Sequence, residues 1–244
     1  KEDRGFLTMQ IFSLITKGGY VMYPIILCSI ISLAIFLERW YVLRHSRERV
    51  DRYLRSVKRA VAQRDWESVV DISKKNQSPP SRIILAGVRK YFQGLTGEAR
   101  EAMEDVAMQE LPVYEKRLST LSVVASISPL LGLLGTVTGM IRTFDVISVV
   151  GVGKPAEMAG GISEALITTA AGLIVAIPTV LAHHYLSNLA DKIISDIDRA
   201  CTEVVEALEE SANSHNTLPL GSENLREGEE ENVPISVSEE ETHS

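Results

Sequence analysis

YVMYPIILCSIISLAIFL, residues 20–37, carries no charge and stops abruptly at Glu38, Arg39, Trp40 and Tyr41. An α-helix rises about 1.5 Å per residue, so a hydrocarbon core about 30 Å thick takes roughly 20 apolar residues to cross. The stretch has that length, and its ending sets an arginine beside two aromatic rings where lipid headgroups lie. Nothing before Tyr20 has the short apolar core and small-residue cleavage site of a secretory signal. The block is therefore read as a first membrane span that is retained.

Two further blocks follow: LSTLSVVASISPLLGLLGTVTGMIRTF, residues 118–144, and ISEALITTAAGLIVAIPTVLAHHY, residues 162–185. The third helix can begin as early as Pro155, because proline suits the first helical position. Three core helices of a soluble bundle are the alternative, but core helices seldom stay apolar on all faces over such lengths. Bulk composition, at 45% hydrophobic and 23% charged, resembles that of a soluble protein only because charge fills the gaps between the blocks. The expected fold class is all-α: a polytopic membrane protein with three transmembrane helices extended into a cytoplasmic helical bundle, plus an acidic disordered C-terminal tail.

Charge sets the orientation. Residues 38–117 hold seventeen of the 25 Lys and Arg, against one, Lys154, between the second and third spans. Arg39, Arg44, Arg47, Arg49, Arg52 and Arg55 follow the first span closely, and Lys116 and Arg117 abut the second. By the positive-inside rule residues 38–117 form a cytoplasmic loop. Residues 1–19 and the turn at 145–161 are then extracytoplasmic, and the C-terminus is inside.

Within the loop, apolar residues at spacings of three and four predict an amphipathic helix over about 47–70. A break at 76–80 precedes a second helix over 81–91. A third begins near Thr96 and is expected to run into the second span, with Pro112 its only interruption. After the third span, Leu186, Leu189, Ile193, Ile197, Ala200, Val204 and Leu208 continue the helical period, giving an amphipathic helix over 186–212. From Leu186 onward there are fifteen acids and three bases. Residues 213–244 are too acidic and too poor in apolar side chains to bury a core, so disorder is expected.

The second and third spans carry the informative residues. Gly132, Gly135 and Gly139 face a matching small stretch of Ala170, Ala171, Gly172 and Ala176, and small residues let membrane helices approach closely. Thr136 and Thr138 in the second span, and Glu164, Thr168 and Thr169 in the third, are polar inside apolar helices. A carboxylate within a bilayer is costly and usually faces a cavity or an ion path. With a helix start at Pro155, Glu164 lies about nine residues in; with a start after Gly161 it is a first-turn acid favoured by the helix dipole. Folding the chain back over a turn at 144–155 sets Thr136 near the level of Ser163 and Glu164, with Thr168 four residues beyond on the same face. The result is a stripe, Thr136–Glu164–Thr168/Thr169, whose hydroxyls can donate and accept along a proton path. Bonding of each threonine to its own helix carbonyl is the competing reading.

Other chemistries find no support. Cys28 and Cys201 match no metal-ligand or disulfide pattern, His183 and His184 are adjacent and so cannot share a helix face, and Gly151-Val152-Gly153-Lys154 has the wrong spacing for a phosphate loop. No catalytic constellation, cofactor site, metal site or nucleic-acid surface is read; the chain is not expected to be an enzyme.

On GGYVMYPIILCSIISLAIFLERW (18–40), SPLLGLLGTVTGMIRTF (128–144) and GGISEALITTAAGLIVAIPTVLAHHYL (160–186), the sequence resembles the ExbB/TolQ/MotA proton-channel family, closest to its ExbB and TolQ branches. The resemblance implies a pentamer in the bacterial inner membrane, with the second and third spans lining a pore. It implies a single-span ExbD- or TolR-like partner that supplies a protonatable aspartate, and a TonB- or TolA-like transducer. It also implies that Glu164, Thr169 and Thr136 are the family's pore glutamate and threonines. A non-conducting membrane scaffold, recruiting partners through its cytoplasmic helices, is the other reading. A flagellar role fits less well, since MotA-like stators carry four spans.

Overall fold

The computed structural model describes residues 18–151 and 155–216. Every regular element among them is helical: α1 (Met22–Ala62), α2 (Trp66–Lys75), α3 (Pro79–Phe92), a 3₁₀ turn (Thr96–Glu98), α4 (Ala99–Glu110), α5 (Pro112–Glu115), α6 (Leu118–Val150) and α7 (Pro155–Asn216). Three of these, α1, α6 and α7, are long and apolar enough to cross a membrane. Their apolar stretches expose large side chains in quantity, among them Leu27, Leu33, Leu133, Ile141, Leu166, Ile174 and Leu181. Such surfaces need lipid or a neighbouring chain, because water would not tolerate them.

The three long helices outlast any bilayer. At about 1.5 Å per residue the 62 residues of α7 reach about 93 Å. Beyond their apolar halves, α1 and α7 wrap with α2–α5 around one core. Leu43, Tyr53, Leu54 and Val57 of α1 meet Val69 of α2, Ile83, Ile84 and Val88 of α3, Met103 of α4, and Leu186, Ile193, Ile197 and Leu208 of α7. The register is the helical one read from the sequence: one apolar face inward, charge outward.

Three expectations for this region change. The amphipathic helix over 47–70 is two helices: α1 ends at Ala62, Arg64 turns left-handed at φ 54°, and Asp65 caps α2 by accepting from the Ser68 amide at 3.0 Å. Trp66 then buries against Tyr91, which a continuous helix could not arrange. The stretch from Thr96 does not run into the second span, because the chain breaks at Lys116 and Arg117, the latter left-handed at φ 67°. Finally, helix continues through 213–216, where disorder was expected to begin. The remainder of that tail, residues 1–17 and residues 152–154 lie outside the described residues.

The junction between the two halves buries a cation. Arg39 is 5% exposed, its Nη1 donates to the Val113 carbonyl at 3.5 Å, and its Nε finds no partner. Neighbouring Glu38 is shared, its Oε1 lying 3.9 Å from Arg39 Nη2 while its Oε2 pairs with Arg117. The short α5 thus lies across the end of the first apolar block, while Tyr41 points outward, 70% exposed.

Candidate functional site

Helices α6 and α7 lie against each other along most of their apolar length. The small residues make this possible. A Cβ at Gly135 would fall inside the Thr168 side chain, one at Gly139 would strike Ala165 and the Gly161 carbonyl, one at Gly132 would press on Thr169, and one at Gly172 would meet the Ser128 carbonyl. All four glycines expected to pack therefore sit where the two backbones approach. Each helix also carries an interior proline, Pro129 in α6 and Pro178 in α7. A proline removes one backbone donor. Beside each, a hydroxyl bonds back to the helix, Ser128 to Val124 O at 2.7 Å and Thr179 to Val175 O at 2.7 Å.

Glu164 is a full residue of the helix interior, because α7 starts at Pro155. Its side chain is 11% exposed and accepts from Nη1 of Arg142 on α6. Gly19 closes the third side: at φ 64° it lies directly on the Glu164 carboxylate, which occupies the space a Cβ would need. The turn preceding α1, the far part of α6 and the early part of α7 therefore converge on one carboxylate.

The threonines divide. Thr169 crosses the interface, donating to the Gly132 carbonyl at 3.1 Å. Thr168 is fully buried, but its hydroxyl bonds back to Glu164 O and Ala165 O, each at 3.0 Å. Thr136 is half-buried and donates to Leu133 O at 2.6 Å, on its own helix. Thr138 does the same toward Gly135 O at 3.0 Å. Thr136 is not level with Ser163 and Glu164 as expected. Because α6 continues to Val150, the fold-back point lies later, and Gly135 comes opposite Thr168 while Gly139 comes opposite Gly161 and Ala165.

Arg142 is the residue that sequence reasoning passed over. It is a lone charge at the end of an apolar run, and the shift in fold-back point is what places it opposite Glu164. Among the described residues no three His, Cys, Asp or Glu converge in a way that could hold a metal ion. The rings of His183 and His184 lie edge-on with centroids 5.6 Å apart.

Residues 75–199 match the model of the MotA/TolQ/ExbB proton channel family, which thus takes in both helices of the Glu164 contact. This chain belongs to that family. Within the family it is similar to the biopolymer transport protein ExbB-like 1 of Synechocystis sp., at 36% identity over 71% of this chain and 69% of the relative. It is also similar to the Tol-Pal system protein TolQ of Pseudomonas aeruginosa, at 31% identity over 76% of this chain and 86% of the relative. The biopolymer transport protein exbB1 of Vibrio cholerae matches at 27% over 76% and 83%. With three apolar helices and these relatives, the chain is a multi-pass inner-membrane protein of the ExbB/TolQ group.

Proposed function

We propose that the chain is the proton-conducting stator subunit of an inner-membrane complex that spends the proton motive force on TonB- or Tol-dependent work. It acts with an ExbD/TolR-like single-span subunit and a TonB/TolA-like transducer, as a homo-oligomer, a pentamer by the family resemblance. The bundle of α2–α5 and the ends of α1 and α7 face the cytoplasm, following the Lys and Arg excess of residues 38–117.

The observation that carries this reading is the Arg142–Glu164 pair, a carboxylate held between two apolar helices and closed over by the turn that leads into α1. Charges inside membrane helices are costly, and where they are kept they usually face an ion path or cavity. The pair ties a carboxylate of α7 to a guanidinium of α6, so a proton reaching Glu164 would weaken the ionic part of a contact between the two helices, the coupling a motor requires. Thr169, whose hydroxyl spans the same α6–α7 interface, lies about a turn and a half further along.

A non-conducting scaffold is favoured by a specific observation of its own: Thr136 and Thr168 spend their hydroxyl protons on their own helices. Proton flux decides between the two. The complex is purified after co-expression with the neighbouring genes, weighed intact by native mass spectrometry, and reconstituted in vesicles. Glu164→Gln is expected to lower flux at least about tenfold, equivalent to about 1.4 kcal/mol on the limiting barrier, without changing the assembled mass. Undiminished flux with assembly intact, or the absence of any single-span subunit, overturns the stator reading in favour of the scaffold.

A further inference from the structure

The extramembrane half of α1 is strongly basic: residues 41–62 hold seven Lys and Arg against two acids. Tyr53, Val57 and Ala60 turn into the core, which leaves Arg52, Arg55 and Arg59 exposed on the opposite side. Spaced at i, i+3 and i+7, they form one face about 10 Å long. None of the three has an ion-pair partner among the described residues. Their neighbours do, and always on α7: Lys58 pairs with Glu203 at 2.8 Å, and Arg64 with Glu210 at 3.3 Å. Acids of α7 thus already meet bases of α1 and of the turn that follows it along one edge, and the last pair lies six residues before the helix stops at Asn216.

Residues 217–244 continue from that point with eight acids and one base, four of the acids falling within 227–231. We propose that this acidic segment of the chain's own C-terminus docks on the Arg52–Arg55–Arg59 face of α1. Reach is adequate. Eleven to fifteen residues separate Asn216 from 227–231. A random coil of that length spans about 20 Å root-mean-square, comparable to the roughly 15 Å of helix from Arg52 to the end of α1, where Arg64 already meets Glu210 and Ser214. Such a short tether gives an effective concentration in the millimolar range. Anionic lipid is the competing occupant, and geometry disfavours it. Arg52 lies twelve residues beyond Trp40, about 18 Å along the helix from the aromatic level and more than two Debye lengths of about 8 Å. Exposed ion pairs are individually weak, so the contact is a multivalent one that salt releases. In the resting protein it covers a basic face that is free to meet an anionic partner once the tail is displaced.

The test uses the full chain in lipid nanodiscs, with Arg52, Arg55 and Arg59 changed to Lys so that charge is kept and amines are supplied. A carbodiimide that joins amines to touching carboxylates is applied, and the linked peptides are read by mass spectrometry. The native Lys58–Glu203 pair serves as the internal control. Amides from the new lysines to residues 227–231 are expected at ionic strength about 0.01 M, falling at least about fivefold at about 1 M, where the Debye length is only about 3 Å. Subunits in heavy and light isotopes should link heavy to heavy and light to light. A Lys58–Glu203 amide without any to the tail overturns the proposal. So do links found only between heavy and light copies, or links abolished when phosphatidylglycerol replaces phosphatidylcholine in the discs.

Discussion

The Arg142–Glu164 pair is unequal, and that inequality is measurable. Arg142 keeps 57% of its side chain exposed, whereas Glu164 keeps 11%. Arg142→Gln strands a buried carboxylate, a loss of about 3–5 kcal/mol at the upper end. Glu164→Gln leaves an arginine that can turn toward water. Thermal unfolding in mild detergent should therefore fall further for Arg142→Gln than for Glu164→Gln, and the double variant should recover most of the difference. Thr169→Val separates chemistry from packing. Hydrogen bonds between membrane helices average about 0.6 kcal/mol, so assembly should survive the loss of the bond to Gly132. If proton flux then drops at least about threefold with assembly unchanged, the hydroxyl serves conduction; unchanged flux reduces Thr169 to packing. Glu164 was visible in the sequence as a carboxylate in an apolar run. Arg142 was equally visible, but its meaning depended on which residue stood across from it.

At the scale of elements, two contacts carry separate lessons. Gly135→Val would drive a branched side chain into Thr168, where both helices are already at closest approach. Overpacking of this kind costs about 1–3 kcal/mol, and the variant should lose oligomer on size-exclusion chromatography, whereas Leu134→Val, on an exposed position, should not. In the bundle, Tyr53 Oη and Ser73 Oγ share a buried hydrogen bond of 2.8 Å that ties α1 to α2. Tyr53→Phe should lower stability by about 1 kcal/mol, since the serine hydroxyl is left buried without its partner. Ser73→Ala in addition should return part of it. The existence of α1, α6 and α7 followed from apolar length alone. The break at Arg64 and Asp65 did not, because the hydrophobic period continues through it; only the burial of Trp66 against Tyr91 shows why the chain turns.

The whole molecule has an alkaline limit written into its bundle. Burial pushes the Cys201 thiol up to about 12 and the Tyr114 hydroxyl up to about 12. Both groups are held protonated by the fold, so their contribution is complete below the ordinary values of 9.0 and 10.0 and is lost as pH rises toward 12. Melting temperature in detergent should be flat up to about pH 9 and fall steeply from there to about pH 12. For the same reason Cys201 should resist iodoacetamide at pH 8, with about one thiolate in ten thousand, and react once the chain is unfolded. A pH-independent melt over that range, or ready alkylation of the folded protein, would contradict the burial described here.

What the sequence determined by itself is what depends on length and period: three apolar helices, a charged helical region between the first two, and the continuation of the third beyond its apolar half. These are local properties, set by how many residues a helix needs per ångström and which side of it is apolar. Only the tertiary structure decided the partners. The exact point at which α6 folds back into α7 governs which residues meet across them: Gly139 comes to the level of Ala165, which takes Thr136 away from Glu164, and the long side chain of Arg142, six residues further along α6, reaches it instead. Gly19 over that carboxylate, and α5 over Arg39, join residues far apart in the chain. Such contacts are fixed by packing of backbone against backbone, which no periodicity within a single helix encodes.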